Sequence, residues 1–313
     1  MKSEKPEISV IIPVHNSQMH LEECLASLKV QSFSDFEVLI INNGSTDNSQ
    51  AIAESFSRCD DRFILINHNH GMAGEARNIG LVNARGSYIA FVDSDDTVRE
   101  QYLEKLYSAI TQHHADVAVC GYCIYFRKSD KIVQRHTVKN KIYEKNEAMK
   151  ELLRDKKMRF YLWNKLWKHT LFTDNGIDIP DMYYEDAVAC SRLFCHAEKV
   201  VMTDYCGYSY VRASSKIYTE IEMNGIRIND YINTVPMIRN YLEDKGIYKS
   251  VKTPFTRHIF HVFFSVPLLV GQAHDDLERG WLKNSLSGMG KVLKACSNST
   301  DQLEELTKEK AVL

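Results

Sequence analysis

Three aspartates follow an apolar segment at residues 88 to 96, which read YIAFVDSDD. One serine separates Asp93 from Asp95, and Asp96 comes next. Carboxylates are costly to bury beside a hydrophobic strand unless a cation joins them, and hard oxygen ligands on a short loop suit Mg²⁺ or Mn²⁺. The pattern therefore indicates a divalent metal site, and the alternative is an aspartate-rich turn that caps the following helix.

Polar turns also end two other apolar segments. Residues 8 to 16 read ISVIIPVHN, and residues 36 to 47 read FEVLIINNGSTD. Residues 69 to 80, NHGMAGEARNIG, begin with a glycine turn and continue as a predicted helix that carries Arg77 and Asn78. In a parallel α/β sheet, ligands bind beyond the carboxyl ends of the strands. We therefore expect these turns and the carboxylates at the same edge of a sheet.

The order of these four motifs resembles that of the family 2 glycosyltransferases, which have the A-type nucleotide-diphospho-sugar-binding fold. The resemblance is densest over the first third of the chain and extends to FYLWNKLWKHTLF at 160 to 172 and MYYEDAVACSRLF at 182 to 194. It implies a metal-dependent, inverting glycosyltransferase that uses a nucleoside-diphosphate sugar, with uridine as the expected nucleoside. The expected acceptor is a glycan or a lipid-linked molecule in cell-surface polysaccharide synthesis.

Such a transfer requires a donor-binding site and a cation that carries charge on the departing diphosphate. The resemblance assigns Asp95 to a Mn²⁺ or Mg²⁺ ion, and Asp93 to the same ion or to the ribose. Asp96 is expected to cap or orient the loop. The family usually has an acidic residue at Asn42 or Asn43, but an amide can still bond to uracil. The residues expected to bind the donor are Pro13, Val14, His15, Asn16, Asn43, Gly44, Ser45, Arg77, Asp93, Ser94 and Arg212.

The acceptor hydroxyl requires a base, and Glu185 and Asp186 form an acidic pair where a helix is expected to begin. The resemblance assigns the base to Asp186 and the orientation or contact of the acceptor to Glu185. The structural alternative is a first helical turn enriched in acids because of the helix dipole. Trp163 is expected either to stack on a sugar ring or to belong to the core.

Hydrophobic periodicity predicts alternating strands and helices, which is typical of βαβ units around a sheet. The predicted class is α/β, with a mainly parallel, Rossmann-like sheet, helices on both faces and a mostly helical C-terminal region. Ser17 is predicted to cap the first helix. The buried face of that helix is predicted from Leu21, Cys24, Leu25 and Leu28.

At 313 residues the chain exceeds the usual size of a single core. We expect a glycosyltransferase domain over residues 1–218 and a helical region over residues 219–313. Within the first domain, the nucleotide-sugar-binding half is expected to end at about residue 125, and the acceptor-side half to follow over about residues 126–218.

Charge and hydropathy limit the expected partners. With 39 Lys and Arg residues against 41 Asp and Glu residues, there is no basic excess, so nucleic acid is not expected as a partner. The opening MKSEKPE lacks an apolar signal segment, and no segment reaches the ~20 apolar residues of a bilayer crossing. We expect a cytoplasmic protein, with peripheral contact at the inner face of the cell membrane as the alternative.

Residues 258 to 271, HIFHVFFSVPLLVG, form the most apolar segment of the C-terminal region and contain Pro267. A proline in this segment is expected to interrupt a helix. We expect a buried helix here, and the alternatives are a homo-oligomer interface or a shallow membrane contact.

This sequence lacks the motifs that are typical of two other enzyme classes. A dinucleotide-dependent dehydrogenase needs GxGxxG after the first strand, and a sugar-phosphate nucleotidyltransferase needs a glycine-rich loop there, whereas this chain has PVHNSQ. The remaining alternative is a non-catalytic nucleotide-sugar-binding or scaffold protein of the same fold. The presence of both Asp95 and Asp186 argues against that alternative.

Overall fold

One mixed sheet organises the protein in a computed structural model, which describes residues 5–69, 71–212 and 225–270. Within those residues the sheet has ten strands. The strands are β1 (Ile8–Val14), β2 (Phe36–Asn43), β3 (Phe63–His68), β4 (Tyr88–Phe91), β5 (Thr97–Val98), β6 (Val117–Phe126), β7 (Lys131–His136), β8 (Lys141–Glu144), β9 (Lys165–Lys168) and β10 (Lys199–Arg212).

Helices follow most of these strands, as expected for βαβ units. The described helices are α1 (Leu21–Lys29), α2 (Ser49–Cys59), α3 (Ala73–Asn83), α4 (Tyr102–Gln112), α5 (Lys145–Arg154), α6 (Thr170–Thr173), α7 (Glu185–Phe194), α8 (Gly225–Asp244) and α9 (Tyr248–Val270).

The strands lie in the order β3-β2-β1-β4-β9-β6-β10-β5, while β7 pairs with β6 and β8 pairs with β10. The first four are parallel, and so are β6 and β10. Every residue of β2 is buried, which is typical of a parallel strand covered on both faces. The predicted α/β class is confirmed. Strand β9 runs antiparallel between β4 and β6, so the complete sheet is mixed.

Strand register brings the candidate site together. Val14 of β1 pairs with Asn42 of β2, and Ile11 of β1 pairs with Phe91 of β4. Asp93, two residues beyond Phe91, therefore lies level with the end of β1. The polar turns after β1 and β2 and the aspartates after β4 meet at one edge of the sheet.

Apolar residues form a core on each face of the sheet. Helices α1, α2 and α4 cover one face, and α3, α5, α7, α8 and α9 contribute to the other. Helices α8 and α9 thus share a hydrophobic core with the sheet, and the boundary at residues 218 and 219 stays a prediction. Their buried contributions are Val235, Ile238, Leu242, Val251, Phe255, Ile259 and Val262.

The start of α1 differs from the prediction. All four residues of its predicted apolar face are buried, as expected. Its N-cap, however, is His20, which makes no side-chain capping bond. The Ser17 hydroxyl instead lies 2.7 Å from the Ser94 hydroxyl, and the Ser17 carbonyl accepts the Leu21 N–H at 2.9 Å. The prediction that Ser17 caps the helix is wrong, because its hydroxyl connects two loops at the sheet edge.

Helix α9 runs through Pro267 to Val270, so the expected interruption at Pro267 is wrong. In its described part, His258, Ile259 and Val262 are buried. Side chains 263, 264 and 266–270, as well as residue 271, lie outside the described residues. Among the helices that the structure describes, none combines the length and apolar character that a bilayer crossing requires.

We expect Ile259→Ala to lower the free energy of unfolding by about 2–5 kcal/mol, the usual cost of truncating a buried isoleucine. Thr253→Ala, at an exposed position of the same helix, should change it by less than about 0.5 kcal/mol. Urea unfolding followed by circular dichroism measures both. A main transition that is the same in Ile259→Ala and the unmodified chain would show that α9 folds separately from the sheet.

Candidate donor and acceptor site

A cavity of about 450 Å³ lies at this edge of the sheet. It includes nine of the residues that the sequence predicts for the site. Asn16, Gly44, Ser45, Asp186 and Arg212 do not line it. The lining residues are Pro13, Val14, His15, Asn43, Gly71, Met72, Ala73, Arg77, Asp93, Ser94, Asp95, Met182, Tyr183 and Glu185.

The turns after β1 and β2 are joined by side-chain hydrogen bonds. His15 Nδ1 lies 2.8 Å from the Asn43 carbonyl, which fixes the proton on Nδ1 and leaves Nε2 to accept from the Asn16 amide at 3.2 Å. Asn16 Oδ1 accepts the Thr46 N–H, and the Asn16 N–H donates to Ser45 Oγ. Asn16 and Ser45 therefore hold the turns that present His15 and Asn43 to the cavity.

In the Asn43 side chain, Nδ2 makes a hydrogen bond within the described residues and Oδ1 does not. Its Nδ2 donates to the Gly71 carbonyl at 2.6 Å, an arrangement that only the amide nitrogen can make. Its buried Oδ1 has no hydrogen-bond partner among the described residues. Asn42 instead donates to Asn67 at 2.9 Å within the sheet edge. Gly44, with φ of +67°, reverses the chain directly after Asn43.

Arg77 connects the two sides of the site. Its side chain is 5% exposed, and Nη2 lies 2.8 Å from Asp93 Oδ1. Nη1 donates to Glu185 Oε1 and lies 3.9 Å from Asp186 Oδ1. Burial opposes the charged guanidinium, but the three carboxylates outweigh it and raise the pKa of Arg77. Arg77 lines the cavity, and much of its charge is already balanced by carboxylates.

The loop before α7 is fastened to α3. Asp181 Oδ1 accepts the N–H groups of Met72 and Glu75, at 2.9 and 3.1 Å, and so satisfies free donors at the start of that helix. The Asn78 side chain donates to the Ile179 carbonyl at 2.8 Å and accepts the Ile179 N–H at 2.9 Å. These bonds hold the acidic pair at a defined distance from Arg77.

Gly74 allows this close approach. A Cβ atom there would lie 2.1 Å from the carbonyl oxygen of Pro180, a distance that real Cβ atoms do not reach. The backbone of α3 therefore packs directly against the loop. Neither Gly74 nor Asp181 is predicted from the sequence as a site residue. The nearest signals in the sequence are the glycine turn before α3 and the acidic pair after the loop.

Asp93 and Asp95 form the acidic floor of the cavity. Desolvation, followed by the negative charge of Asp93, raises the pKa of Asp95 to about 6. A divalent cation would relieve both effects, and Mg²⁺ commonly binds one or two carboxylates together with substrate phosphates. Among the described residues, no group of three or more His, Cys, Asp or Glu side chains is arranged to hold a metal ion. The two carboxylates therefore fit an ion that a bound phosphate group would help to hold.

Asp96 is fully buried and points away from the cavity. Its two oxygens accept the Tyr208 hydroxyl at 2.8 Å and the Val211 N–H at 2.7 Å. The Tyr208 oxygen in turn accepts the Asp93 N–H at 3.1 Å. This chain of bonds orients the aspartate loop against β10, in agreement with the role expected for Asp96.

Asp186 lies behind Glu185 at the start of α7. Its Oδ2 accepts the Leu162 N–H at 3.1 Å, and its Oδ1 has no hydrogen-bond partner in the described parts of the chain. Burial, followed by the charge of Glu185, raises the pKa of Asp186 to about 7, while Arg77 opposes the shift. A carboxylate with a pKa near neutrality is suited to take up a proton.

Two further candidates lie outside the cavity. The guanidinium of Arg212 lies over the Tyr210 ring, 4.8 Å from its centroid, at the end of β10. Trp163 is 4% exposed and stacks between Tyr161 and Tyr208, with ring centroids 4.5 and 4.2 Å away. Trp163 therefore belongs to the core and does not offer a face to a sugar.

The chain is similar in sequence to a protein-family model and to bacterial glycosyltransferases. The family model "Glycosyl transferase family 2" matches residues 9–172. Glycosyltransferase GlyA of Streptococcus pneumoniae is 32% identical over 70% of this chain and 33% of its own length. The uncharacterized glycosyltransferase EpsJ of Bacillus subtilis is 34% identical over 69% of this chain and 64% of its own length. The chain thus spans less than two thirds of either relative.

Solved structures show the same fold. Staphylococcus aureus TarS 1-349 in complex with UDP-GlcNAc has a TM-score of 0.70 at 21% identity, over 90% of this chain and 80% of that one. The mannosyltransferase PcManGT from Pyrobaculum calidifontis, in complex with GDP-Man and Mn²⁺, has a TM-score of 0.53 at 14% identity, over 91% and 85%. The family match covers more than half of the chain and agrees with the sheet and cavity described above, so the chain belongs to glycosyltransferase family 2.

Proposed function

We propose that this chain is an inverting glycosyltransferase that moves a sugar from a UDP-sugar to a hydroxyl group of a glycan or lipid-linked acceptor in cell-surface polysaccharide synthesis. The observation that carries the proposal is the buried Arg77. It holds Asp93, at the cavity floor, within one ion-pair network with Glu185 and Asp186. A donor-side carboxylate and a candidate base therefore lie on opposite sides of one guanidinium.

The unused Oδ1 of Asn43 supports a uridine nucleotide. Uracil carries an N–H donor at N3, where cytosine has an acceptor, so uracil N3–H would satisfy this buried oxygen in a pose in which cytosine N3 would not. The structural similarity to TarS, which was solved with UDP-GlcNAc, is consistent with such a donor. Pro13, Val14 and His15 complete the proposed nucleoside side of the cavity.

Asp93 and Asp95 would hold a Mn²⁺ or Mg²⁺ ion together with the diphosphate. Such an ion supplies Lewis-acid stabilisation of the negative charge on the leaving group. Asp96 keeps the loop in place through Tyr208, and Ser94 lines the cavity between the two acidic side chains. Arg212, whose guanidinium lies over the Tyr210 ring at the end of β10, is the proposed basic residue for the departing diphosphate.

Asp186 is the proposed base. Its carboxylate takes the proton of the acceptor hydroxyl while that oxygen bonds to the anomeric carbon from the face opposite the diphosphate. The bond from the anomeric carbon to the diphosphate breaks, and its electron pair leaves with UDP. Glu185, which lines the cavity, contacts the acceptor and keeps Arg77 in place. Attack from the opposite face inverts the anomeric configuration.

We also propose that the reaction takes place in the cytoplasm, at the inner face of the membrane when the acceptor is lipid-linked. A non-catalytic nucleotide-sugar-binding or scaffold protein is the second candidate. The raised pKa of Asp186 suits a base, and because strongly shifted pKa values cluster at catalytic sites it favours the enzyme.

A panel of nucleotide sugars tests the function without knowledge of the acceptor. We expect slow hydrolysis of at least one UDP-sugar with Mn²⁺ and none with a chelator. UDP should also compete better than CDP by about tenfold or more, since an unsatisfied buried acceptor costs ~1–3 kcal/mol. Donor binding without turnover, even when glycan acceptors are added, would support the scaffold protein.

Asp95→Asn should abolish metal-dependent donor binding, because an amide is a neutral and weaker ligand for a hard dication. Asp93→Asn should reduce metal-dependent donor binding less, since Arg77 already neutralises the Asp93 carboxylate. Titration calorimetry with UDP, with and without Mn²⁺, measures the effect, and the exposed Asp174→Asn serves as the matched control. Equal Mn²⁺ enhancement in Asp95→Asn and the unmodified chain would exclude the assigned ligand.

Asp186→Asn should reduce turnover by about 10²- to 10⁴-fold, the usual contribution of a positioned base, with little change in donor affinity. Glu185→Gln should mainly raise the KM for the acceptor. Steady-state kinetics with the donor identified by the panel separates these effects. If Glu185→Gln abolishes turnover while Asp186→Asn remains active, the two roles are exchanged.

The pH dependence of turnover should follow the carboxylate of Asp186. Because the pKa is raised to about 7, turnover should rise with pH up to that value and then level off. Arg77→Gln removes the charge that lowers this pKa, so the midpoint should move to higher pH. Glu185→Gln removes a charge that raises it and should move the midpoint the other way.

Arg58→Gln, which breaks an exposed ion pair with Glu54 on α2, is the matched control and should leave the midpoint unchanged. The profile is measured under saturating donor, so that binding does not contribute. Identical midpoints in Arg77→Gln, Glu185→Gln and the unmodified chain would assign the titration to a group other than Asp186.

A further inference from the structure

A second cavity, of about 600 Å³, lies between the end of α5 and helix α9. Its lining includes Leu153 and Asp155 and shares no residue with the donor cavity. We call it the basic pocket and define it by Arg154, Lys156, Arg159, Arg257, His258 and His261.

Positive charge dominates the wall of the basic pocket. Asp155 is the acidic residue in its lining, and it already lies 3.4 Å from Arg159 and accepts the Phe160 N–H at 3.3 Å. Arg154 lies 3.1 Å from Glu151, which does not line the pocket. Four arginine or lysine side chains therefore face one partly neutralised carboxylate, an arrangement that favours an anionic ligand.

His258 supplies an independent observation. It is 6% exposed and packs against the rings of Phe160 and Phe255, at 5.0 and 6.4 Å. Neither Nδ1 nor Nε2 has a hydrogen-bond partner within the described residues. An unsatisfied buried polar group costs about 1–3 kcal/mol, so the pocket is where its missing partner is expected.

His258 is neutral near pH 7, since burial, followed by the nearby His261, lowers its pKa to about 4. A neutral imidazole still carries one N–H donor, and a ligand oxygen would satisfy it. The ligand must therefore present both negative charge, for the arginines and lysine, and an acceptor oxygen at the pocket wall.

Stabilisation of α5 alone does not account for this arrangement. Cations at the end of a helix interact favourably with its dipole, and Arg159 does donate to the Asp155 carbonyl at 2.6 Å. That argument applies to residues on and directly after α5. It does not explain why α9, a later helix, adds Arg257 and a buried, unpartnered His258 to the same cavity.

We infer that the basic pocket binds a phosphate group, which belongs either to a soluble phosphate ester or to the headgroup of an anionic lipid. A phosphate presents several acceptor oxygens and up to two negative charges. Arginine guanidinium groups bind such oxygens in pairs, and charged hydrogen bonds of this kind are the strong ones. The inference concerns a site apart from the donor cavity and does not depend on the proposed reaction.

Titration calorimetry of the full chain with inorganic phosphate and with glycerol phosphate tests the site. A chelator is present, so that no metal ion holds phosphate in the donor cavity. We expect saturable binding that Lys156→Glu weakens by about tenfold or more, because it reverses one charge in the wall. Lys157→Glu, an exposed neighbour outside the pocket, is the matched control and should bind as the unmodified chain does.

His258→Leu should also weaken binding, and circular dichroism checks that this buried substitution still folds. Lys156→Glu changes an exposed side chain, so the test stands even if His258→Leu unfolds. Equal affinities for the Lys156 and Lys157 variants would overturn the inference. So would the absence of saturable binding to either phosphate together with the absence of Lys156-dependent binding to lipid.

Vesicle flotation identifies the source of the phosphate. If phosphatidylglycerol vesicles retain the chain, phosphatidylcholine vesicles do not, and Lys156→Glu abolishes retention, the phosphate is that of a lipid headgroup. Calorimetric binding without retention on vesicles assigns the pocket to a soluble phosphate ester. If the vesicles retain Lys156→Glu and Lys157→Glu equally, a lipid headgroup is excluded as the ligand of the basic pocket.

Discussion

The burial of Arg77 is the constraint on which the site depends. A guanidinium that is 5% exposed must be compensated by nearby carboxylates, and here they come from the end of β4 and from the start of α7. Without these carboxylates the guanidinium would be a buried, uncompensated charge, which is strongly destabilising. The same interaction that stabilises the interior therefore fixes where the carboxylates of the β4 loop and of α7 meet.

A second polar connection supports the aspartate loop from the other side. Asp96 binds Tyr208 and Val211, and Tyr208 accepts the Asp93 N–H. Buried networks of this kind are stable only when each member is satisfied, and both oxygens of Asp96 are. Asp93 is thus held through its backbone by β10 and through its side chain by Arg77, while Asp95 between them stays available for a ligand.

The sequence predicted the fold class and the main motifs because apolar periodicity and strand-end polar residues are local signals. It could not predict which neighbouring polar side chain faces the cavity. Asn16 and Asn43 both follow strands, yet the positive φ of Asn16 turns its side chain towards Thr46, while Asn43 lines the cavity. Arg77 was identified as a site residue, but its pairing with Glu185 depends on packing between distant segments.

That separation along the chain has a consequence for folding. Arg77 and Asp93 are 16 residues apart, whereas Arg77 and Glu185 are 108 apart. Contacts between distant residues have a larger entropic cost of loop closure, so strands β1 to β4 can assemble before the acidic pair arrives. The segment that matches the family model ends at residue 172, before Glu185. In a nascent chain of that length, Arg77 would pair with Asp93 alone. The ion-pair network would be completed only when α7 brings Glu185 and Asp186.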